Sequence, residues 1–191
     1  MSAAHVEAGL DRLAALAGAC KALAPQVARI AERYTAVLHG GGTLFFCGNG
    51  GSAADAQHVA TEYVVLYAAS RRALAAVALT TDTSLLTAAG NDLGFEQIFA
   101  RQVEALCRPA DLLVLHSTSG RSPNLIAAAR AARACGTQTV AFLGRDGGTL
   151  AGEVDVSLVV PADDTGAIQV LHLALEHLVV ELVESALLGH G

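Results

Sequence analysis

Five short apolar runs constrain this chain more than any other feature: TLFFC (43–47), AAVAL (75–79), LLVLH (112–116), TVAFL (139–143) and VSLVV (156–160). Each is continuous rather than alternating, as a strand covered on both faces requires. Residues with helical periodicity separate the first four runs, and a GRDGGT loop joins the fourth to the fifth, so the pattern predicts a parallel sheet between two layers of helices. Right-handed crossovers make that an α/β, three-layer doubly wound five-stranded domain. Helices are expected as two segments within residues 3–39, then Ala53–Tyr67 with Ser52 as its cap and Thr80–Ala88 capped near Thr81 or Asp82. Phe95–Leu106, Pro123–Cys135 and Thr165–Leu187 complete the set. Residues 1–191 read as one domain, with 1–40 a helical extension packed on it.

The chain is 53% hydrophobic, much of it Ala and Leu, yet no run approaches the roughly 18 uninterrupted apolar residues of a membrane span. Long helices packed on each other, partly between subunits, are the expected use of that apolarity. The first residues lack a basic segment followed by an apolar one, so no secretory signal is read there. Cys20, Cys47, Cys107 and Cys135 stand far apart with no CxxC pair, which points to a reducing cytoplasm rather than a disulfide framework or zinc knuckle. Formal net charge is -6 and tryptophan is absent, so nucleic acid is not an expected ligand. A small anion remains compatible, because backbone N–H groups at helix N-termini bind phosphate without net positive charge.

Two loops at strand ends suit such an anion. CGNGGS (47–52) follows the first strand and opens a helix, and its three glycines let the backbone turn sharply around a ligand. It matches neither a dinucleotide fingerprint nor a nucleotide P-loop. STSGRS (117–122) follows the third strand and places four hydroxyls beside the helix that starts at Pro123. The alternatives are a tight strand–helix turn for the first and ordinary hydroxyl capping for the second. His58 and Glu62 stand at i and i+4 on one helix face, suited to ligating a metal or to acid–base work, or else a surface pair. The last helix carries Gln169, His172, Glu176 and His177 among apolar residues. His172 reads as an interface histidine, and Gln169 and His177, about 12 Å apart along the helix, could reach a ligand only from its two ends or from two subunits.

Taken in order, CGNGGSAADAQHVATE (47–62), LTTD (79–82), GNDLGFEQIF (90–99), STSGRSPN (117–124), GRDGG (144–148) and IQVLHLALEH (168–177) resemble the phosphoheptose isomerase family of the sugar isomerase (SIS) domain superfamily. The resemblance covers nearly the whole chain. It implies aldose–ketose isomerisation of sedoheptulose 7-phosphate to D-glycero-D-manno-heptose 7-phosphate through an enediol. By position it implies zinc ligands at His58, Glu62, Gln169 and His177, one Zn2+ per subunit, and an acid/base pair of Glu62 and His177. Substrate binding is implied for Asn49, Gly50, Gly51, Ser52, Glu62, Asn91, Asp92, Ser117, Thr118, Ser119, Ser122 and Gln169. It also implies a homotetramer with sites at subunit interfaces.

Three positions depart from the family pattern. Leu66 stands where the family has Arg, Arg121 where it has Asn, and Ala167 where it has Arg. Arg121 is therefore expected to restore part of the lost positive charge at the phosphate. The alternative function is a non-catalytic SIS protein that binds a sugar phosphate and a protein partner such as a replication initiator. Such relatives tend to lack the acid/base pair, which this chain has. A sugar-phosphate sensor would be expected to carry an appended DNA-binding module, and none is read in the sequence.

Overall fold

The computed structural model describes residues 2–189. Its strands are β1 (Leu44–Gly48), β2 (Ala76–Ala78), β3 (Leu112–Ser117), β4 (Gln138–Gly144) and β5 (Val156–Val160). Its helices are α1 (Ala3–Ala19), α2 (Ala24–His39), α3 (Gly51–Val64), α4 (Thr83–Asp92), α5 (Ala100–Leu106), α6 (Pro123–Ala134) and α7 (Thr165–Leu188). All five apolar runs form one parallel sheet in the order β2-β1-β3-β4-β5. The order reverses between β1 and β3. That switch point is where an open α/β sheet leaves a crevice at its strand ends, and CGNGGS and STSGRS border it.

Alternate residues of each strand feed different cores. Leu44, Phe46, Val114 and Phe142 pack against α2, α3 and α7, whereas Phe45, Cys47, Leu115 and Leu143 pack against α5 and α6. At the sheet edge only Ala76–Ala78 count as strand, but bonds from Leu44 N to Ala75 O and from Leu79 N to Phe46 O continue the ladder at both ends.

Five expected boundaries move by more than one residue, counting the end of α4 at Asp92 instead of Ala88, and four of the moves have a local reason. Gly50 (φ 57) turns the chain so tightly that α3 begins at Gly51, and Ser52 lies inside the first turn rather than capping it. The same helix stops at Val64, and after a last helical bond from Val65 N to Thr61 O the amides of Tyr67, Ala68 and Ala69 turn to Glu184. Asp82 accepts from Leu85 N at 2.9 Å, which starts α4 at Thr83, after the expected Thr80. Gly94 (φ 91) opens a short 3-10 turn at Phe95–Gln97, so only Ala100–Leu106 of the expected 95–106 helix is α-helical.

By length and composition α7 could cross a membrane. It serves instead as the central core helix, with Ile168, Val179, Val180 and Val183 buried against α2 and α3. By contrast, α1 buries no residue within the chain.

Candidate active site

The two loops enclose one cavity of about 320 Å³, lined by Asn49, Gly50, Gly51, Ser52, His116, Ser117, Thr118, Ser119, Ser122, Thr165 and Gln169. Every expected binding residue of the two loops is present. The Asn49 and Asn124 side chains exchange reciprocal amide bonds of 2.9 and 2.8 Å, which tie the first loop to the start of α6. Ser117 Oγ accepts from Gly120 N at 3.0 Å and shapes the second loop. Ser122 occupies the N-cap of α6 without making a side-chain cap bond. Gln169 places its amide over Gly51, with Nε2 3.4 Å from Ser52 Oγ. Such a cavity offers hydroxyls, carboxamides and helix-start amides, the donor set of a phosphate site. Asn91 and Asp92 do not line it. They are exposed at the end of α4, with Asn91 Nδ2 donating to Asp92 Oδ1 at 2.6 Å.

Beyond the cavity, α3 and α7 bring His58, Glu62 and His177 together, with one donor atom of each within 4.8 Å of the others. His58 Nε2 lies 3.2 Å from Glu62 Oε1 and 3.0 Å from His177 Nε2. Two imidazole nitrogens on one tetrahedral zinc stand about 3.3 Å apart, given Zn–N bonds of about 2.0–2.1 Å. Two histidines and a carboxylate at this spacing therefore fit zinc chemically. Gln169 stays with Ser52 at the cavity, two turns along α7 from His177.

Residues 11–144 match the SIS domain family. The phosphoheptose isomerase of Roseiflexus sp. (strain RS-1) is 54% identical over 164 residues, which are 86% of this chain and 83% of that protein. The chain belongs to the phosphoheptose isomerase family of SIS-domain proteins. The solved structure of phosphoheptose isomerase GmhA from Neisseria gonorrhoeae superposes with a TM-score of 0.90 at 42% identity, covering 95% of this chain and 97% of that one. A phosphoheptose isomerase from Francisella tularensis gives 0.89 at 33% identity, covering 96% and 98%.

On this SIS-domain frame, Arg121 does not take the expected place. Its guanidinium forms a two-pronged pair with Asp146, at 2.9 and 2.6 Å. Those hydrogen bonds pull the Asp146 carboxyl down to about 2. The Arg121 charge is thus already answered by the neighbouring GRDGG loop. Leu66 is exposed and Ala167 half-buried, so neither supplies a replacement.

Two buried groups pair at the cavity floor, and only His116 was not singled out in the sequence. His116 is stacked between Phe46 and Phe142, and its Nε2 lies 2.9 Å from Glu176 Oε1. The Tyr34 hydroxyl donates to the same oxygen at 3.4 Å, and burial pushes the Glu176 carboxyl up. Glu176 was recognisable as a polar residue needing a partner; His116 read as part of an apolar strand. His172, expected at an interface, is instead buried within the chain and donates from Nε2 to Leu143 O at 2.9 Å. Desolvation lowers it to about 4, so it is neutral near pH 7.

Proposed function

We propose that this protein converts sedoheptulose 7-phosphate to D-glycero-D-manno-heptose 7-phosphate through an enediol. One observation carries the reading: a carboxylate and an imidazole, Glu62 and His177, meet beside a hydroxyl- and amide-lined cavity. Ser52 and His58 are six residues apart on α3, a rise of roughly 9 Å. A phosphate held at Ser52 therefore leaves an extended seven-carbon chain reaching towards Glu62, whereas a triose would fall short.

In this mechanism the phosphate rests on residues 49–52, Ser117, Thr118, Ser119 and Ser122, and Gln169 orients the sugar from α7. Glu62 takes a proton from C1 while His177 protonates the C2 oxygen, which gives the enediol. Return of the carbon-bound proton at C2 and loss of the O1 proton give the aldose. Zinc, one per subunit, would be held by His58, Glu62 and His177 and would supply Lewis-acid polarisation of the sugar oxygens, whereas Gln169, seated at Ser52 two turns away, would join that set only from a neighbouring subunit.

A homotetramer with sites at subunit interfaces is part of the same proposal. Val6 and Leu10 on α1, and Val170, Leu178 and Leu182 on α7, are exposed large apolar residues. Grooves of about 460 and 500 Å³ run between α7 and the first two helices. Asn91 and Asp92, remote from their own cavity, are then available to a neighbouring subunit. The four cysteines are free, which supports a cytoplasmic setting. Presence of both Glu62 and His177 disfavours a non-catalytic binding protein. The test is conversion of sedoheptulose 7-phosphate with and without added zinc. Turnover is expected with zinc, and its absence in both conditions would reject the proposal.

A further inference from the structure

The segment that follows α3 is folded around a single carboxylate. Glu184, on α7 and 5% exposed, accepts from the backbone N–H groups of Tyr67, Ala68 and Ala69 at 3.2, 3.1 and 3.0 Å. Arg71 Nε donates to it at 2.8 Å, from a side chain only 3% exposed. The rest of the guanidinium turns back to the end of α3. Nη1 donates to Tyr63 O at 2.8 Å, and Nη2 donates to Glu62 O. Burial alone would raise the Glu184 carboxyl, but the three amides and the guanidinium outweigh it and hold it below its ordinary value.

These bonds join the two helices that carry the reacting groups. Arg71 donates to two last-turn carbonyls of α3, Glu62's own and that of Tyr63, which also accepts from Leu74 N at 3.1 Å. Glu184 lies seven residues beyond His177 on α7, two turns along the same face. Tyr67, whose amide is held by Glu184 and whose hydroxyl donates to Glu181 at 3.1 Å, stacks on the His177 ring at 5.3 Å. A buried ion pair adds little net stability over apolar packing, so stability alone does not account for so fully satisfied a pair. Fixing one geometry does.

We infer that Arg71 and Glu184 are positioning residues that set the separation and orientation of Glu62 and His177. The inference rests on the proposed isomerase reading of that pair. It is tested on Arg71→Met, Arg71→Lys and Glu184→Gln, with Val103→Ala in the opposite core as a stability control. The readouts are Tm, kcat and KM for sedoheptulose 7-phosphate, and zinc affinity of the metal-free protein by chelator competition.

Arg71→Met is expected to lower kcat by about 10–100-fold and zinc affinity by at least about 10-fold, with KM within about 3-fold. Arg71→Lys keeps the charge but loses the fork, so it should recover part of both. Val103→Ala should lower Tm while leaving kcat and zinc affinity unchanged. Folded Arg71→Met with kcat and zinc affinity within about 2-fold of wild type would overturn the inference. If Arg71→Met does not fold, the same criteria apply to Arg71→Lys and Glu184→Gln. A wild type without isomerase activity would reject the reaction, and the zinc affinities would still decide the positioning role.

Discussion

His58 Nε2 and His177 Nε2 face each other at 3.0 Å across 119 residues of sequence, with Glu62 Oε1 3.2 Å from the first. Without metal, at most one of these nitrogens can donate to the other. With metal, both lone pairs point at the same ion. Zinc should therefore raise Tm, since a ligand at 100 times its Kd stabilises the folded state by about 2.7 kcal/mol. In His177→Ala that shift should disappear, as followed by melts with and without zinc.

Two glycines of the phosphate loops should respond differently to alanine. A Cβ on Gly51 would lie 2.5 Å from the Gln169 amide, the movable end of a side chain. Gly51→Ala should stay folded but push Gln169 off Ser52, raising KM about 10-fold without lowering Tm. At Gly120 (φ +63) a Cβ would lie 1.9 Å from Gly147 O, which is backbone. Gly120→Ala should cost more than about 3 kcal/mol by urea unfolding.

Breaking the His116–Glu176 pair on one side leaves a buried carboxylate with only Tyr34 to answer it. His116→Ala should destabilise the protein by about 3–5 kcal/mol. The double replacement His116→Leu with Glu176→Leu should come within about 1 kcal/mol of wild type, because both buried polar partners leave together. Urea unfolding of the three proteins checks this.

His172 makes stability depend on pH in a definite direction. Its folded value of about 4 lies below the ordinary value of 6.5, so the unfolded chain binds the extra proton first. Its contribution is fully present above about pH 6.5 and is lost as pH falls towards 4. Lowering pH from 7 to 5 should remove about 2 kcal/mol through this group. His172→Gln should flatten that part of the wild-type curve, read as the difference between their urea midpoints across the range.

Much of the fold was legible because its signals are local. The five strands, the Asp82 cap and α7 to within a residue follow from apolar runs, a capping carboxylate and helical spacing. The loops 47–52 and 117–122 were legible as one kind of chemistry, and they do line one cavity. What escaped depends on distant pairing. The turn after α3 is held by Glu184, 117 residues from Tyr67. The Arg121 charge is decided by Asp146, 25 residues on. His116 was hidden because a buried histidine in a strand declares itself only once Glu176 faces it.

The most direct test of the central claim is isomerisation in D2O by the zinc-loaded protein, with deuterium at C2 of the heptose phosphate read by mass spectrometry and NMR. An enediol formed by Glu62 exposes the travelling proton to solvent exchange, so wild type should give product carrying deuterium at C2, and Glu62→Gln should give neither product nor label. Product with no deuterium at C2, or Glu62→Gln as active as wild type, would contradict the account.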